Sequence, residues 1–350
     1  MRKRHPGIHR MLALVVVCAV LIPAGQTAYG QQESKVSDRL AEAFTYYTQL
    51  EFEKGLAVTH ELLQRQDVEA RDSIAIYAVM SMLTYSQGKD FIEKSYAYLE
   101  KMAEIGPCKL HLPYEFWPQQ LRDHWYQIAQ AKNSLVCAGG ETKEIQTIAI
   151  MEFDNYSVGK FQEELGFIAK GLADFFETDF AQISDLRVVE RDKIDYVLRE
   201  IQMVQEGKIS PETAIQAGKL LGAQLMVFGN ITQLDAKNTR MLVKVVKVET
   251  SEIIAAVEKT GKPDYFAMEK DLVKELADKL NLKLNKETIQ QIDLTGTEST
   301  DAATLYSQGL YYMDQYDYKK AYEFFKMAYE KDNTFTEAKR KMDIYGPLAS

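Results

Sequence analysis

The sequence has little of what a catalytic centre needs. Five histidines and three cysteines are spread over 350 residues. His60-Glu61 has no second histidine at the spacing of a zinc-binding helix. His111 and His124 sit in a helical region near tryptophans, where packed or exposed rings are the ordinary outcome. Ala217-Gly218-Lys219-Leu220 lacks both the upstream glycine and the hydroxyl after lysine that a phosphate-binding loop requires. There is no Gly-x-Ser-x-Gly elbow for a nucleophilic serine. Carboxylates are plentiful, but nothing in the sequence pairs them for acid–base work. We therefore expect a protein that is not an enzyme and that uses no cofactor and no metal.

Positive charge is also scarce. Residues 1–30 hold four basic residues and no acidic one, and the rest of the chain has 38 Lys and Arg against 51 Asp and Glu, a net charge of −13. Nucleic-acid binding needs clustered Lys and Arg to neutralise phosphates, so no such partner is expected. Long apolar runs are confined to the N-terminus. Arg2, Lys3, Arg4 and Arg10 precede an uncharged run from Met11 to Ile22, Pro23 breaks it, and Ala28-Tyr29-Gly30 places small residues before Gln31. That order is the three-part pattern of a secretory leader, and the run is shorter than the ~20 residues of a membrane span. An uncleaved anchor is the alternative. Cys18 lies inside the run and follows Val17, which is a poor lipidation site. With the leader removed, Cys108 and Cys137 remain. In an oxidising compartment two cysteines suggest one disulfide, and two buried thiols are the other reading.

Residues 31–140 read as helical. Apolar positions recur at three and four in stripes: Leu40, Ala43, Phe44 and Tyr47; Leu56, Thr59, Leu62 and Leu63; Ile74, Tyr77, Ala78 and Met82; Phe91, Tyr96, Leu99 and Met102. Pro107, Pro113 and Pro118 interrupt the pattern before a further helix from Gln119 to Asn133. The period then changes. Ile145–Phe153 is a β-rich run, followed by helical spacing over 162–182, a short strand at 186–190, helices over 191–203 and 210–221, and a strand at 225–232. Runs 241–249 and 252–260 form a hairpin around Thr250-Ser251, and 263–280 is an amphipathic helix. Such alternation implies an α/β domain with a mixed sheet. Residues 284–300, rich in Thr, Gln and Glu, read as a linker, and 301–345 are helical again.

Two resemblances rest on particular residues. With Gly309 as the repeat glycine, Tyr312, Ala321, Phe325 and Ala328 fall at the offsets of a tetratricopeptide repeat. Asn333 stands where that family often has proline. The resemblance implies close helix approach at Gly309 and Ala321, with Tyr312 and Phe325 filling the gap. One repeat cannot bury its own faces, so this one must pack on something else. Ser95, Leu99, Met102 and Pro107 fit the second half of another repeat. The C-terminal tyrosines, from Tyr306 to Tyr329, suggest either an interface or packing onto the rest of the chain.

Residues 145–283 resemble the CsgG-type periplasmic domain family, which includes a curli secretion channel. The match runs through Ile148–Asp154 with Phe153 and Asp154, Gly171–Asp174, Val188–Arg191 with Glu190 and Arg191, Gly218–Ala223, and Val227-Phe228-Gly229. The residues read as structural: Gly218 and Gly222 for helix packing and a turn, Gly229 for a bulge or close approach, Glu190 and Arg191 for an ion pair or cap. The channel's membrane hairpins have no counterpart here. Lys244, Lys247, Glu249, Glu252, Glu258 and Lys259 break the apolar face that the hairpin would need. The resemblances imply a CsgG-like α/β domain flanked by tetratricopeptide-like helices, working as a scaffold for envelope proteins and touching membranes peripherally at most. An oligomeric outer-membrane secretion component is the rival.

Overall fold

The computed structural model describes residues 30–106, 117–132, 134, 146–200 and 211–349. The leader up to residue 29, Cys18, Cys108, Cys137 and positions 201–203 of the helix expected over 191–203 lie outside these residues. The chain divides into two compact units, residues 1–138 with 343–350, and residues 139–342. Among the described residues no helix is long and apolar enough to cross a membrane.

The described part of the first unit is helical: α1 (Gly30–Thr48), α2 (Phe52–Leu63), α3 (Ala70–Tyr85), α4 (Ile92–Ile105) and α5 (Gln119–Ala131). Helix α3 starts at a capping box between Glu69 and Asp72 and buries residues on all sides, including Ile76, Met80 and Leu83. A helix that is apolar all round belongs at the centre of its unit. Leu40, Ala43, Tyr47, Leu62, Leu99 and Met102 are buried, as their stripes imply. Phe91 is not: it lies in a 3-10 turn before α4 and is exposed. Trp117 is buried, donates its indole N–H to the Ala78 carbonyl at 3.2 Å, and meets Trp125 edge to face. His124 stacks on Tyr96. The chain's last residues close this unit, where the buried Tyr47 hydroxyl donates to the Ile344 carbonyl.

The second unit is built on one mixed sheet in the order β3-β1-β4-β5-β6. Strands β1 (Gln146–Ile150), β3 (Leu186–Val189) and β4 (Leu225–Gln233) are parallel, and β5 (Thr239–Lys247) and β6 (Glu252–Gly261) continue antiparallel as the expected hairpin. Inward Met241, Val243 and Val245 on β5 are buried, so its apolar face serves the core. A short strand β2 (Asp154–Asn155) was not expected; it also pairs with β4. Ile150 faces Val227 and Asp154 faces Asn230, so one extra residue bulges from the β1–β2 side. The bulge turns Phe153 inward, where its ring fills the space a Cβ on Gly229 would take. Gly229 is thus the partner of a bulge rather than its site.

Helices α6 (Lys160–Glu164), α7 (Gly166–Phe180), α8 (Arg191–Glu200), α9 (Pro211–Leu220) and α10 (Tyr265–Lys279) belong to the α/β layer. Gly222, at φ +65°, ends α9: its N–H bonds to Lys219 and that of Ala223 to Gly218, the paired bonds of a left-handed helix stop. A Cβ on Gly218 would stand 2.6 Å from the Met226 sulfur.

The expected linker is corrected. Helix α11 (Lys286–Leu294) occupies it, capped by Asn285, whose side chain accepts from the Thr288 N–H at 2.7 Å. Ile292 is buried, which a solvated linker would not require. Helices α12 (Thr300–Asp314) and α13 (Tyr318–Lys331) come next, then α14 (Thr336–Tyr345), whose last residues belong to the first unit. Gly309, Ala321, Phe325 and Ala328 are buried in the α12–α13 pair, and the Phe325 ring lies where a Cβ on Gly309 would be. Tyr312 departs from expectation: it is half-buried and stacks on Phe324. The pair covers its other face against α7, at Gly171, where Ser307 stands in the place of a Cβ. Replacing Gly171 by Ala should cost about 1–3 kcal/mol from overpacking, read as a lower urea midpoint. The double substitution G171A/S307G should recover most of it.

Candidate functional site

Helix α7 is apolar along the face it buries, yet that face carries Lys170, Asp174 and Asp179. Each finds its partner in the C-terminal part of the unit. The Tyr306 hydroxyl donates to Asp174 at 2.9 Å. Lys170 and Asp179 anchor two charge clusters.

The first cluster lies at the carboxyl ends of β1 and β3, where the chain turns out of parallel strands and where α/β folds place their functional groups. The bulge after β1 aims Glu152 there. Arg191 opens α8 directly after β3, its backbone N–H bonded to Glu177 at 3.1 Å. Its guanidinium is 4% exposed and grips Asp314 at both oxygens, at 3.2 and 3.3 Å. It also reaches Glu152 at 3.4 Å and Asp195, one turn along α8, at 3.7 Å. Lys170 bonds Asp314 at 2.7 Å and also pairs with Glu152. Asp314 is the last residue of α12, where a negative charge opposes the helix dipole, so the two cations are what make that position favourable.

Two cations face three carboxylates. Burial pushes Asp314 up, but Arg191 and Lys170 outweigh it and hold the carboxyl down at about 2. Burial raises Asp195 to about 7, with Arg191 opposing. Burial and Arg191 lower Lys170, yet Asp314, Glu152 and Asp195 outweigh them and raise it. The oxygens of Glu152, Asp195 and Asp314 lie within 4.8 Å of one another, the spacing of a cation site; here Lys170 and Arg191 supply the positive charge. The cluster is a clasp of α12 onto the sheet's carboxyl edge.

The second cluster is more deeply buried. Asp179 accepts from Lys270 at 2.6 Å and from the Thr295 hydroxyl. Among the described residues, Glu269, wholly buried beside them, receives no hydrogen bond at either carboxylate oxygen, and Lys270 stays 3.7 Å away. Burial, with Asp179 adding to it, raises Glu269 well above a normal carboxyl, and burial also raises Asp179. A carboxyl with no donor in a dry site keeps its proton.

Residues 129–242 match the sequence profile of the family described as curli production assembly/transport component CsgG. The matched segment is about a third of the chain and contains Glu152, Lys170, Arg191 and Asp195, whereas Asp314 lies beyond it. A search of curated proteins finds no match. Among solved structures, the LpoB C-terminal domain from Salmonella enterica is similar at 14% identity, covering 34% of this chain and 84% of that one with a TM-score of 0.26. The LpoB C-terminal domain from Escherichia coli gives 13%, 37%, 92% and 0.27. A dodecamer of a PelC point variant from Paraburkholderia phytofirmans gives 13%, 42%, 96% and 0.25.

Of the residues singled out from sequence, only Arg191 enters the clasp. Glu190 contributes its carbonyl, which accepts the Lys193 and Ile194 N–H groups at the start of α8. Asp154 is exposed and accepts from the Tyr156 hydroxyl; Phe153 packs on Phe176. Glu152, Lys170, Asp195 and Asp314 escaped sequence reasoning. The available signal was the charge interrupting α7's apolar face.

Arg191→Ala should lower stability by about 1–3 kcal/mol, the cost of leaving the half-buried Asp314 and Asp195 without the guanidinium, measured by urea unfolding. The pH dependence comes from the directions of the shifts. Asp195 is raised from an ordinary 3.8 to about 7, so its contribution is fully present below pH 4 and is lost as pH rises toward and through 7. Asp314 is depressed, so its contribution is present above pH 4 and is lost as pH falls through about 2. Thermal midpoints between pH 5 and 8 should fall in the native chain and stay flatter in D195N. Glu269 is raised, so its contribution vanishes as pH rises through its folded value. E269Q should fold at pH 7 and lose less stability than the native chain in alkaline denaturation series.

Proposed function

We propose that this protein is a non-catalytic scaffold of the bacterial cell envelope, with a CsgG-like α/β domain and tetratricopeptide-like helices that hold protein partners. The observation that carries the reading is the family-profile match over residues 129–242. The leader pattern at residues 1–30 supports export. The clasp supports a scaffold role, because it fixes the α12–α13 pair to the sheet and leaves Tyr311, Tyr316 and Met327 exposed. Aromatic and methionine side chains are favoured at protein interfaces.

A second reading takes the family description at its word, as an assembly or transport component at the outer membrane. The hairpin β5–β6 weighs against a pore, since Arg240, Lys244, Glu258 and Lys259 interrupt both strands. Fractionation separates the two. The scaffold should appear in osmotic-shock fluid with a mature N-terminus at Gln31. It should also recover envelope proteins in a pull-down that D314A, which releases α12, weakens. A chain lipidated at Cys18 that sediments with outer membranes and resists salt extraction would favour the transport reading.

A further inference from the structure

Each unit contains a helical hairpin, and the two hairpins are built alike at one constant offset in numbering. In the first, the Leu50 N–H bonds to Tyr47 and the Glu51 N–H to Tyr46, with Leu50 at φ +61°. In the second, the Tyr316 N–H bonds to Met313 and the Asp317 N–H to Tyr312, with Tyr316 at φ +58°. Lys54 pairs with Glu51 at 2.8 Å and sits over the Tyr46 ring. Lys320 pairs with Asp317 at 2.9 Å and sits over the Tyr312 ring. Ala43 and Gly55 hold the close approach in one copy, Gly309 and Ala321 in the other. The α1–α2 pair is therefore a second copy of the α12–α13 unit.

The left-handed position at such a helix stop is glycine's. Both copies instead hold a large apolar residue there, and both expose it: Leu50 is 50% exposed and Tyr316 46%. A strained residue kept at the surface in both copies points to a contact. Beside Leu50 lies an open groove of about 520 Å³, lined by Phe52, Gln87 and the exposed Phe91. The Lys54–Glu51 and Lys320–Asp317 pairs neutralise themselves. One further charge remains at equivalent positions in the two turns, and its sign is opposite: Glu53 in the first and Lys319 in the second. Among the described residues neither has a salt-bridge partner, and both are exposed.

We propose that the Leu50 turn of one molecule docks the Tyr316 turn of a second copy of this chain, with Tyr316 entering the groove against Leu50 and Phe91 and Lys319 meeting Glu53. Two different patches meet, so the contact is head to tail. Such self-association needs no envelope partner and is a property of the purified chain.

Sedimentation velocity of the purified protein across a dilution series tests it. The native chain should associate reversibly with rising concentration. E53K and K319E should each weaken association roughly tenfold, and E53K/K319E, which restores opposite signs, should recover it. L50G relieves the backbone and so should raise the thermal midpoint while weakening association. A chain that stays monomeric at every concentration overturns the proposal. So does a double variant no better than the singles, or L50G with a higher midpoint and unchanged association.

Discussion

Burying an ionisable group obliges the fold to supply its counterpart, and helix α7 imposes that obligation three times. Lys170, Asp174 and Asp179 stand on a face whose other members, Ile168, Leu172, Phe175 and Phe176, are buried core. An isolated charge there would cost several kcal/mol. None of the three is answered within the sheet alone. Asp314 and Tyr306 come from α12, Lys270 from α10 and Thr295 from the end of α11. The α/β layer is therefore completed only by the helices beyond the hairpin β5–β6. Phe175 repeats the dependence in apolar form, packing on Phe266, Tyr306 and Phe335. That is why residues 139–342 form one compact unit.

The periodic parts of this arrangement were legible in the sequence. The alternation from Met241 to Val245 and the three-four spacing of α7 report which face is buried, because burial acts on every residue of an element in turn. The β1–β2 bulge was not legible, since one extra residue opposite Gly229 leaves no period of its own. The polar stretch at 286–294 misled for a related reason. A nine-residue helix that buries little beyond Thr288 and Ile292 writes almost no stripe, and only its cap, Asn285, marks it. The clasp joins Lys170 to Asp314 and Arg191 to Asp314 across more than a hundred residues, and no local spacing encodes such a pair. What was visible, in retrospect, was the anomaly: charge on a helix face otherwise fit for a core.

The glycines show the same limit. Gly171, Gly218, Gly229 and Gly309 could each be read as a small residue needed for close approach. What approaches differs at each: a serine, a methionine sulfur, a phenylalanine from a bulge, and a phenylalanine from the next helix. Sequence reports that space is needed there. Only the fold says which neighbour uses it, and hence which second substitution would compensate the first.

The duplicated hairpin was hidden by a substitution of supply. In the α12–α13 copy the gap at Gly309 is filled from within, by Phe325. In the α1–α2 copy Thr59 stands at the position equivalent to Phe325, so the expected large residue is missing. Leu83 of α3 packs on the pair from outside instead, at Gly55, the position equivalent to Ala321, where it lies about 3 Å from the place of a Cβ. A repeat pattern that looks for the aromatic in the second helix passes over this copy, although its turn, its cation over tyrosine and its left-handed stop are intact. The first copy takes a packing residue from a neighbouring helix, as a stacked repeat does. The second takes its support from α7, through Ser307 at Gly171. Each copy has thus covered one side, and the turns carrying Leu50 and Tyr316 are the strained apolar features that neither solution buries.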